Sequence, residues 1–313
     1  MNAPARITVC LPAYNAGNYI AAAIESVLAQ TCSDWLLIIA DNHSADDTAA
    51  VARRYRDARI TVFEHPKNLG MVANWQFVLE KVDTPFFCLL AADDYFYPEH
   101  LETKLRLLED FPDAAFVHSA VDIVDADGNL LRVYREPFGA FETTPARFAE
   151  FFQRNFVNIA GAVIRMDLVR RFGLGFDSRF SLLCDWYFFM TLLILARGFA
   201  FDATATSVYR YHIQSVARQS ETTPLWIREQ TELQLAVLKE HPAACAAILD
   251  PEKTARLITQ DLWRPALREC LRENRESAAR FWQLFRQFHS PVELISLVPS
   301  FAWKKTHHAI FGS

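Results

Sequence analysis

The sequence predicts an α/β protein: an open, mostly parallel sheet with helices on both faces, followed by a helical C-terminal region. Three observations predict it. Through the first half, short apolar runs alternate with segments of helical periodicity, the order that builds parallel strands joined by crossover helices. The runs are continuously apolar rather than alternating, as strands covered on both faces are. From about residue 222 onward the pattern is almost wholly helical, with Trp226, Trp263, Trp282 and Trp303 spread among amphipathic segments.

In chain order, "ITVCLPA" reads as the first strand and residues 17–30 as its helix; "WLLIIA" and 45–56 follow, then "RITVFEH" and 69–82, then "FFCLLAA" and 98–110, then "AAFVHSAV". The pattern changes after residue 122. "DIVDADGNLLRVYRE" sets Asp-Gly between two β-like runs and so predicts a hairpin. Residues 143–154 read as helix, "NIAGAVIR" as strand, 185–197 as a buried helix and "ATSVYRYH" as a strand ending at His212. The expected organisation is a domain over 1–218, with a nucleotide-binding half (1–122) and an acceptor-side half (123–218), and a helical extension over 219–313.

Composition narrows the function classes. At 313 residues and 51% hydrophobic, the chain is globular with a substantial core. Residues 251–313 hold 10 Lys+Arg against 6 Asp+Glu, leaving 22 against 31 for the rest. An acidic body without a basic stripe excludes nucleic acid as a partner, because that affinity comes from phosphate neutralisation. The six cysteines show no CxxC or CxxH spacing, so neither a disulfide framework nor a structural zinc is expected. "WYFFMTLLILA" is too short to span a bilayer, which needs about 20 apolar residues. The first 20 residues, broken by Pro12, Asn15 and Gly17, lack a secretory pattern, and the expected compartment is the cytoplasm.

In open α/β sheets ligands bind beyond the carboxyl ends of the strands. The residues there are Pro12 to Asn15, Asp41 to Ser44, His65 to Asn68, and Asp93 with Asp94. No glycine-rich phosphate loop occurs, since "LPAYNAGNY" offers only Gly17. A diphosphate must then be neutralised differently, and a divalent cation on carboxylates is the obvious substitute. Asp41 reads either as an acceptor for a pyrimidine imide or as an Asx-turn residue, and Asp46 and Asp47 as helix caps. Asp93 and Asp94 precede a helix whose first turn is better filled by Pro98, which leaves the pair free in the loop. Asp185 reads as the N-cap of an apolar helix or as a general base, and His212 as a packed histidine or a ligand.

"ITVCLPAYNAGNYIAAAIESVLAQT", "ADNHSADDT", "NLGMVANW" and "LLAADDYFYPEHL", in that order, resemble the family-2 glycosyltransferases of the GT-A fold; "GFDSRFSLLCDWYFFMTLLILARG" and "YRYHIQSVA" look like the family's acceptor-side segment and histidine loop. The resemblance covers about residues 6–218. It implies that Pro12, Ala13 and Tyr14, with Asn15 beside them, line a nucleoside pocket where Asp41 reads the base. Asn68, Gly70 and Asn74 match the family's segment between pocket and metal loop. Ala92, Asp93 and Asp94 match its DxD-type motif, with Asp93 on ribose or sugar hydroxyls and Asp94 on Mn²⁺ or Mg²⁺. Asp185 falls where inverting members keep a catalytic base, and His212 where some keep a metal or diphosphate contact. Three departures stand out: Ala91 where many members have Asp, Cys184 where many have Glu, and a short "NLGMVANW" lacking a basic residue.

The resemblance implies an inverting transferase that moves a sugar from a nucleotide-diphosphate donor, UDP-sugar favoured, to a hydroxyl of a glycan or lipid-linked acceptor in cell-surface polysaccharide synthesis. Two alternatives are a metal-dependent phosphohydrolase or nucleotidyltransferase and a non-catalytic sugar-nucleotide-binding module. The tail "FWQLFRQFHSPVELISLVPSFAWKKTHHAIFGS" mixes aromatics with Arg286, Lys304 and Lys305, which suits either a packed helical cap or a peripheral helix on the inner membrane face.

Overall fold

The computed structural model describes residues 5–212, 224–250 and 254. Its main sheet has eight strands. β1 (Ile7–Ala13), β2 (Trp35–Asp41), β3 (Ile60–Glu64) and β4 (Phe86–Leu89) are parallel, in the spatial order β3-β2-β1-β4. Next come β10 (Val163–Arg165), β6 (Ala114–Ser119), β11 (Gly198–Asp202) and β9 (Phe141–Thr143). β10 is antiparallel to both its neighbours, β11 is parallel to β6, and β9 closes the edge antiparallel to β11.

Helices cover both faces, which is why β1 is buried from end to end. On one face α1 (Ile20–Leu28), α2 (Thr48–Ala52) and α4 (His100–Asp110) bury Ile20, Ile24, Val51, Leu101 and Leu105 against Ile7, Val9 and Leu11. On the other, α3 (Met71–Glu80) lies over β1 and β2, and the Cys10 thiol points to the Val78 carbonyl at 3.7 Å. α5 (Thr144–Phe151) packs on α7 (Cys184–Ile194), whose residues from Trp186 to Ile194 are all buried. A helix apolar all round belongs in a core, and Phe189 of α7 meets Phe116 with ring centroids 5.0 Å apart. Each such ring contributes roughly 1.5–3 kcal/mol by leaving water.

The chain leaves the main sheet at Ala120 and starts a second one. β5 (Tyr95–Phe96), β12 (Ser207–Arg210), β7 (Val121–Val124) and β8 (Leu130–Tyr134) lie in that order. β7 and β8 form the expected Asp-Gly hairpin, with Gly128 at φ +89°. The start of β12 is anchored to α4: the fully buried Lys104 ammonium donates to Asp202 (2.8 Å) and Thr206 (2.7 Å), and His100 Nδ1 lies 3.0 Å from the same Thr206 hydroxyl. This small sheet carries the acidic pair and the predicted histidine to one place.

Several elements differ from the sequence reading. "AAFVHSAV" is two strands, because Ala120 turns from one sheet to the other and donates its N–H to the Asp202 carbonyl. "NIAGAVIR" is a 3-10 turn over Ile159–Gly161 before the short β10, with the Asn158 side chain accepting from Ala160 N–H. The fourth helix starts at His100 with Glu99 at its N-cap, so Pro98 precedes it rather than filling its first turn. Strands β5, β9 and β11 and helix α6 (Met166–Phe172) lie outside the sequence-derived elements.

The chain divides into two units, Met1–Arg218 and Gln219–Ser313. In the second, α8 (Pro224–Glu240) and α9 (Pro242–Ile248) bury Leu233, Val237 and Cys245. Trp263, Trp282, Trp303, Arg286, Lys304 and Lys305 lie outside the described residues. Among the described residues no helix is long and apolar enough to cross a membrane.

Candidate active site

The ends of β1 and β2 form the first part of the site. Asn15 and His43 both adopt left-handed backbone, at φ 49° and 61°, a conformation short polar side chains tolerate best. The two loops are stitched to each other. Asn15 N–H donates to Ser44 Oγ (2.9 Å), Asn15 Oδ1 accepts from Ala45 N–H (2.8 Å), Ala16 N–H donates to Thr48 Oγ1 (2.8 Å) and Gly17 N–H to Asp46 Oδ2 (2.9 Å). A Cβ at position 17 would stand 2.0 Å from Oδ1 of the exposed Asp47 side chain, which would have to swing aside. Asp46, not Asp47, is the residue that caps: its Oδ1 accepts from Thr48 N–H at 3.0 Å, while Asp47 makes no side-chain cap bond.

Pro12 and Ala13 are buried beneath this loop pair, and Tyr14 stands half exposed above it. Asp41 is buried, its Oδ2 accepting from Ser44 N–H (3.1 Å) and its Oδ1 from the Ser44 hydroxyl. That is a local cap reaching three residues along the chain rather than an Asx-turn, and a carboxylate with about four lone-pair sites keeps capacity for a further donor.

The 65–74 segment is tied to the same edge. Asn42, within the Asp41–Ser44 strand end but given no role from the sequence, donates to Asn68 Oδ1 (3.1 Å) and the Gly70 carbonyl (3.2 Å) and accepts from Leu69 N–H (2.8 Å). Asn74 is buried, donates to the Ala40 carbonyl (3.0 Å) and lies 3.0 Å from His65 Nε2. Asn68 and Asn74 thus tie this segment to the end of β2.

Asp93 and Asp94 sit in a tight turn just past β4, closed by Asp94 N–H to the Ala91 carbonyl at 3.0 Å, with Ala92 buried in it. β12 runs beside this turn. The Arg210 backbone N–H donates to Asp94 Oδ1 (2.8 Å), Arg210 Nε to the Asp93 carbonyl (3.0 Å), and His212 Nε2 lies 2.9 Å from Asp93 Oδ2. Burial first, and the neighbouring Asp93 second, push the Asp94 carboxyl well above the usual carboxylate range; the Arg210 N–H pulls back weakly. Arg210 was missed from the sequence. The signal was a lone cation at the end of a β-like run, next to a histidine already singled out.

Asp185 stands apart, in the first turn of α7, with no hydrogen bond to the acidic turn among the described residues. Burial raises its carboxyl to about 6 against the N–H groups of the helix start and the Asn155 amide, which approaches Oδ2 at 3.4 Å. Asn155 is itself fixed by accepting from Val157 N–H at 3.0 Å.

Among the described residues no group of three or more His, Cys, Asp or Glu side chains could hold a metal ion. A caged structural metal is therefore not what this arrangement suits. Mg²⁺-type ions, however, are usually held by one or two carboxylates together with substrate phosphates and water. Asp94, buried at the sheet edge with one N–H donor on Oδ1 and with Asp93 alongside, has that donor chemistry.

Comparison with known proteins shows the family and the fold. The sequence profile described as glycosyl transferase family 2 matches residues 8–173. An uncharacterized glycosyltransferase of Methanocaldococcus jannaschii is 23% identical over 211 residues, 66% of this chain and 70% of its own length. One of Rickettsia bellii is 29% identical over 128 residues, 40% of this chain; the matched stretch spans only 18% of that protein and 21% of its Rickettsia felis counterpart. Among solved structures, S. aureus TarS 1–349 in complex with UDP-GlcNAc has a TM-score of 0.69 at 17% identity, covering 97% of this chain and 87% of TarS 1–349. The mannosyltransferase PcManGT from Pyrobaculum calidifontis, in complex with GDP-Man and Mn²⁺, has a TM-score of 0.56 at 14% identity, covering 98% and 84%. At such identities the likeness is one of fold.

Proposed function

Because the chain belongs to glycosyl transferase family 2, we propose that it transfers a sugar from a nucleotide-diphosphate donor to an acceptor hydroxyl with inversion at the anomeric carbon. The observation that carries this reading is the division of labour between two carboxyls, Asp94 buried and Asp185 partly buried, both raised chiefly by burial. Asp185, at the start of α7, has a carboxyl raised to about 6, the range in which a carboxylate serves as a base near neutral pH. Asp94, on the sheet edge beside Asp93, has the donor chemistry for a cation on the diphosphate.

In the proposed reaction Asp185 takes the proton of the acceptor hydroxyl. The freed oxygen pair forms the new bond to the anomeric carbon, and the bond to the diphosphate oxygen breaks with its electrons leaving on the diphosphate. Asp94, with His212 as a second contact, would hold Mn²⁺ or Mg²⁺, which when bound would supply Lewis acidity to neutralise charge on the leaving group. Asp93 would orient sugar or ribose hydroxyls. Pro12, Ala13, Tyr14 and Asn15 would frame the nucleoside with Asp41, and Asn68 and Asn74 would hold that frame.

A UDP-sugar is the proposed donor. Asp41 suits a pyrimidine imide, and TarS, similar in fold, has been captured with UDP-GlcNAc. The proposed acceptor is a glycan or lipid-linked glycan of cell-surface polysaccharide synthesis. The mixed aromatic and basic composition of residues 281–313 suits peripheral attachment at the cytoplasmic membrane face. A hydrolase or nucleotidyltransferase centre built on three or more carboxylates is disfavoured, since among the described residues no group of three or more His, Cys, Asp or Glu side chains could hold a metal ion.

The test is thermal unfolding against a panel of sugar nucleotides with and without Mn²⁺. A donor present at about 100 times its dissociation constant stabilises the folded chain by roughly 2.7 kcal/mol. A UDP-sugar should protect in the presence of Mn²⁺, and a panel in which no sugar nucleotide protects would overturn the reading.

A further inference from the structure

Arg210 is almost fully buried beside two carboxylates, yet its side chain is not spent on either of them. Nε donates to the carbonyl of Asp93 at 3.0 Å. Nη1 donates to the carbonyls of Asp125 and Ala126 at 3.1 and 2.8 Å. Those last two belong to the turn of the β7–β8 hairpin, so one guanidinium spans the acidic turn and the hairpin turn. Its faces are covered by Tyr19 and Tyr95, with ring centroids 5.0 and 5.8 Å from the guanidinium carbon. The backbone of the same residue donates to Asp94 Oδ1 at 2.8 Å, and Tyr211 N–H donates to the Val124 carbonyl at 2.8 Å, which carries the link along β7.

We infer that Arg210 is a positioning residue for the acidic turn: its fork locks the Asp93–Asp94 backbone to the hairpin and thereby fixes the direction in which the Asp94 carboxylate faces its ligand. This rests on the reading of Asp94 as a cation ligand. The required property is the planar fork rather than the charge. Lysine would keep a cation there but cannot reach three carbonyls on two segments from one point. The hairpin end of the clamp depends in turn on Asp125. Its Oδ1 accepts from Asp127 N–H (3.0 Å) and Asn129 N–H (2.9 Å), so it shapes the turn whose carbonyls Arg210 holds.

The experiment measures UDP binding by calorimetry as a function of Mn²⁺ concentration for the full chain, Arg210→Lys and Asp125→Ala. It adds backbone hydrogen exchange over residues 91–97 in the ligand-free proteins. Groups that orient a metal ligand typically change metal affinity by about 10–100-fold when lost. Arg210→Lys should therefore need at least about tenfold more Mn²⁺ for half-maximal UDP binding and exchange faster over 91–97. Asp125→Ala, on an exposed turn distant in sequence from the carboxylates, should shift both in the same direction by less. If Arg210→Lys binds with the wild-type Mn²⁺ dependence, the inference is overturned whatever happens to its melting temperature. Should that variant fail to fold, a wild-type Mn²⁺ dependence in Asp125→Ala overturns it instead. Wild-type UDP binding that is equal with and without Mn²⁺ would remove the underlying reading of Asp94, and the inference with it, an outcome distinct from unshifted variants.

Discussion

The loops after β1 and β2 and the two carboxyls at Asp94 and Asp185 treat polar groups in opposite ways. In the loops, Asn15, Asp41, Ser44, Asp46 and Thr48 are bonded to one another or to nearby backbone. Burial alone would raise the Asp46 carboxyl, but hydrogen bonds from Thr48 and Gly17 bring it below its ordinary value. Asp94 has one backbone N–H on Oδ1, and Asp185 has the helix start and a 3.4 Å amide. Both are pushed upward, chiefly by burial. A carboxylate saturated with donors is fixed and chemically inert. One left short of donors in a buried place is costly to ionise, and that cost is relieved by a proton, a cation or a substrate.

Replacing Asp185 tests this division most strongly. Asp185→Asn keeps the shape and removes the proposed base, so turnover should fall by about 10²-fold or more while UDP binding stays near wild type. Stability should move the other way. The folded carboxyl is raised, so the protonated form is favoured in the fold, and its contribution is present below the unfolded value and lost as pH rises through about 6. At pH 7.5 or so the Asn variant should therefore melt no lower than wild type. Wild-type turnover, or a large drop in melting temperature, would class Asp185 with the scaffold carboxylates.

The same carboxyl predicts a pH profile. With Asp185 as the proposed base, active only when ionised, and its carboxyl at about 6, kcat/KM should be flat above that value and fall about tenfold per unit below it. Initial rates between pH 4.5 and 8, at saturating metal, check the slope. A profile that stays flat to pH 5 would mean that Asp185 is as well supplied with donors as Asp46 is.

The same contrast explains what was legible in the sequence. The continuous apolar runs of β1, β2 and β4 announced both the sheet and its ligand edge, because burial on both faces writes itself into local composition. Strands such as β5, two residues long, and β9, three, are too short for any period to show. They exist through pairing with β12 and β11. In the site, Asp93, Asp94, Asp185 and His212 were visible as chemistry-bearing types in suggestive places. Their partners were not, since the bonds from Arg210 to Asp94 and from Asn155 to Asp185 join residues 116 and 30 apart in the chain. The distinction between Asp46 and Asp47 as caps was also out of reach, because it depends on which of two adjacent carboxylates meets Gly17 of the neighbouring loop.

The smallest effect is expected on the saturated side. Asp46→Ala removes an acceptor that ties Thr48 to Gly17, a loss comparable to that of a helix cap, about 1 kcal/mol. For a unit of this size that lowers the melting temperature by roughly 2–4 °C. The buried Thr48 loses its acceptor, the Gly17 donor is left to solvent and the loop loosens, so KM for the donor should rise a few-fold with kcat unchanged. The pH dependence runs opposite to that of Asp185. Asp46 is held below its ordinary value, so its contribution is present at neutral pH and disappears as pH falls through the folded value. The melting temperatures of wild type and Asp46→Ala should therefore converge on acidification. Asp46→Asn, which keeps one acceptor oxygen and loses the charge, should fall between them. If Asp46→Ala lowers kcat as far as Asp185→Asn does, the loop carboxylate takes part in the chemistry, and the separation between spent and unspent carboxylates no longer holds.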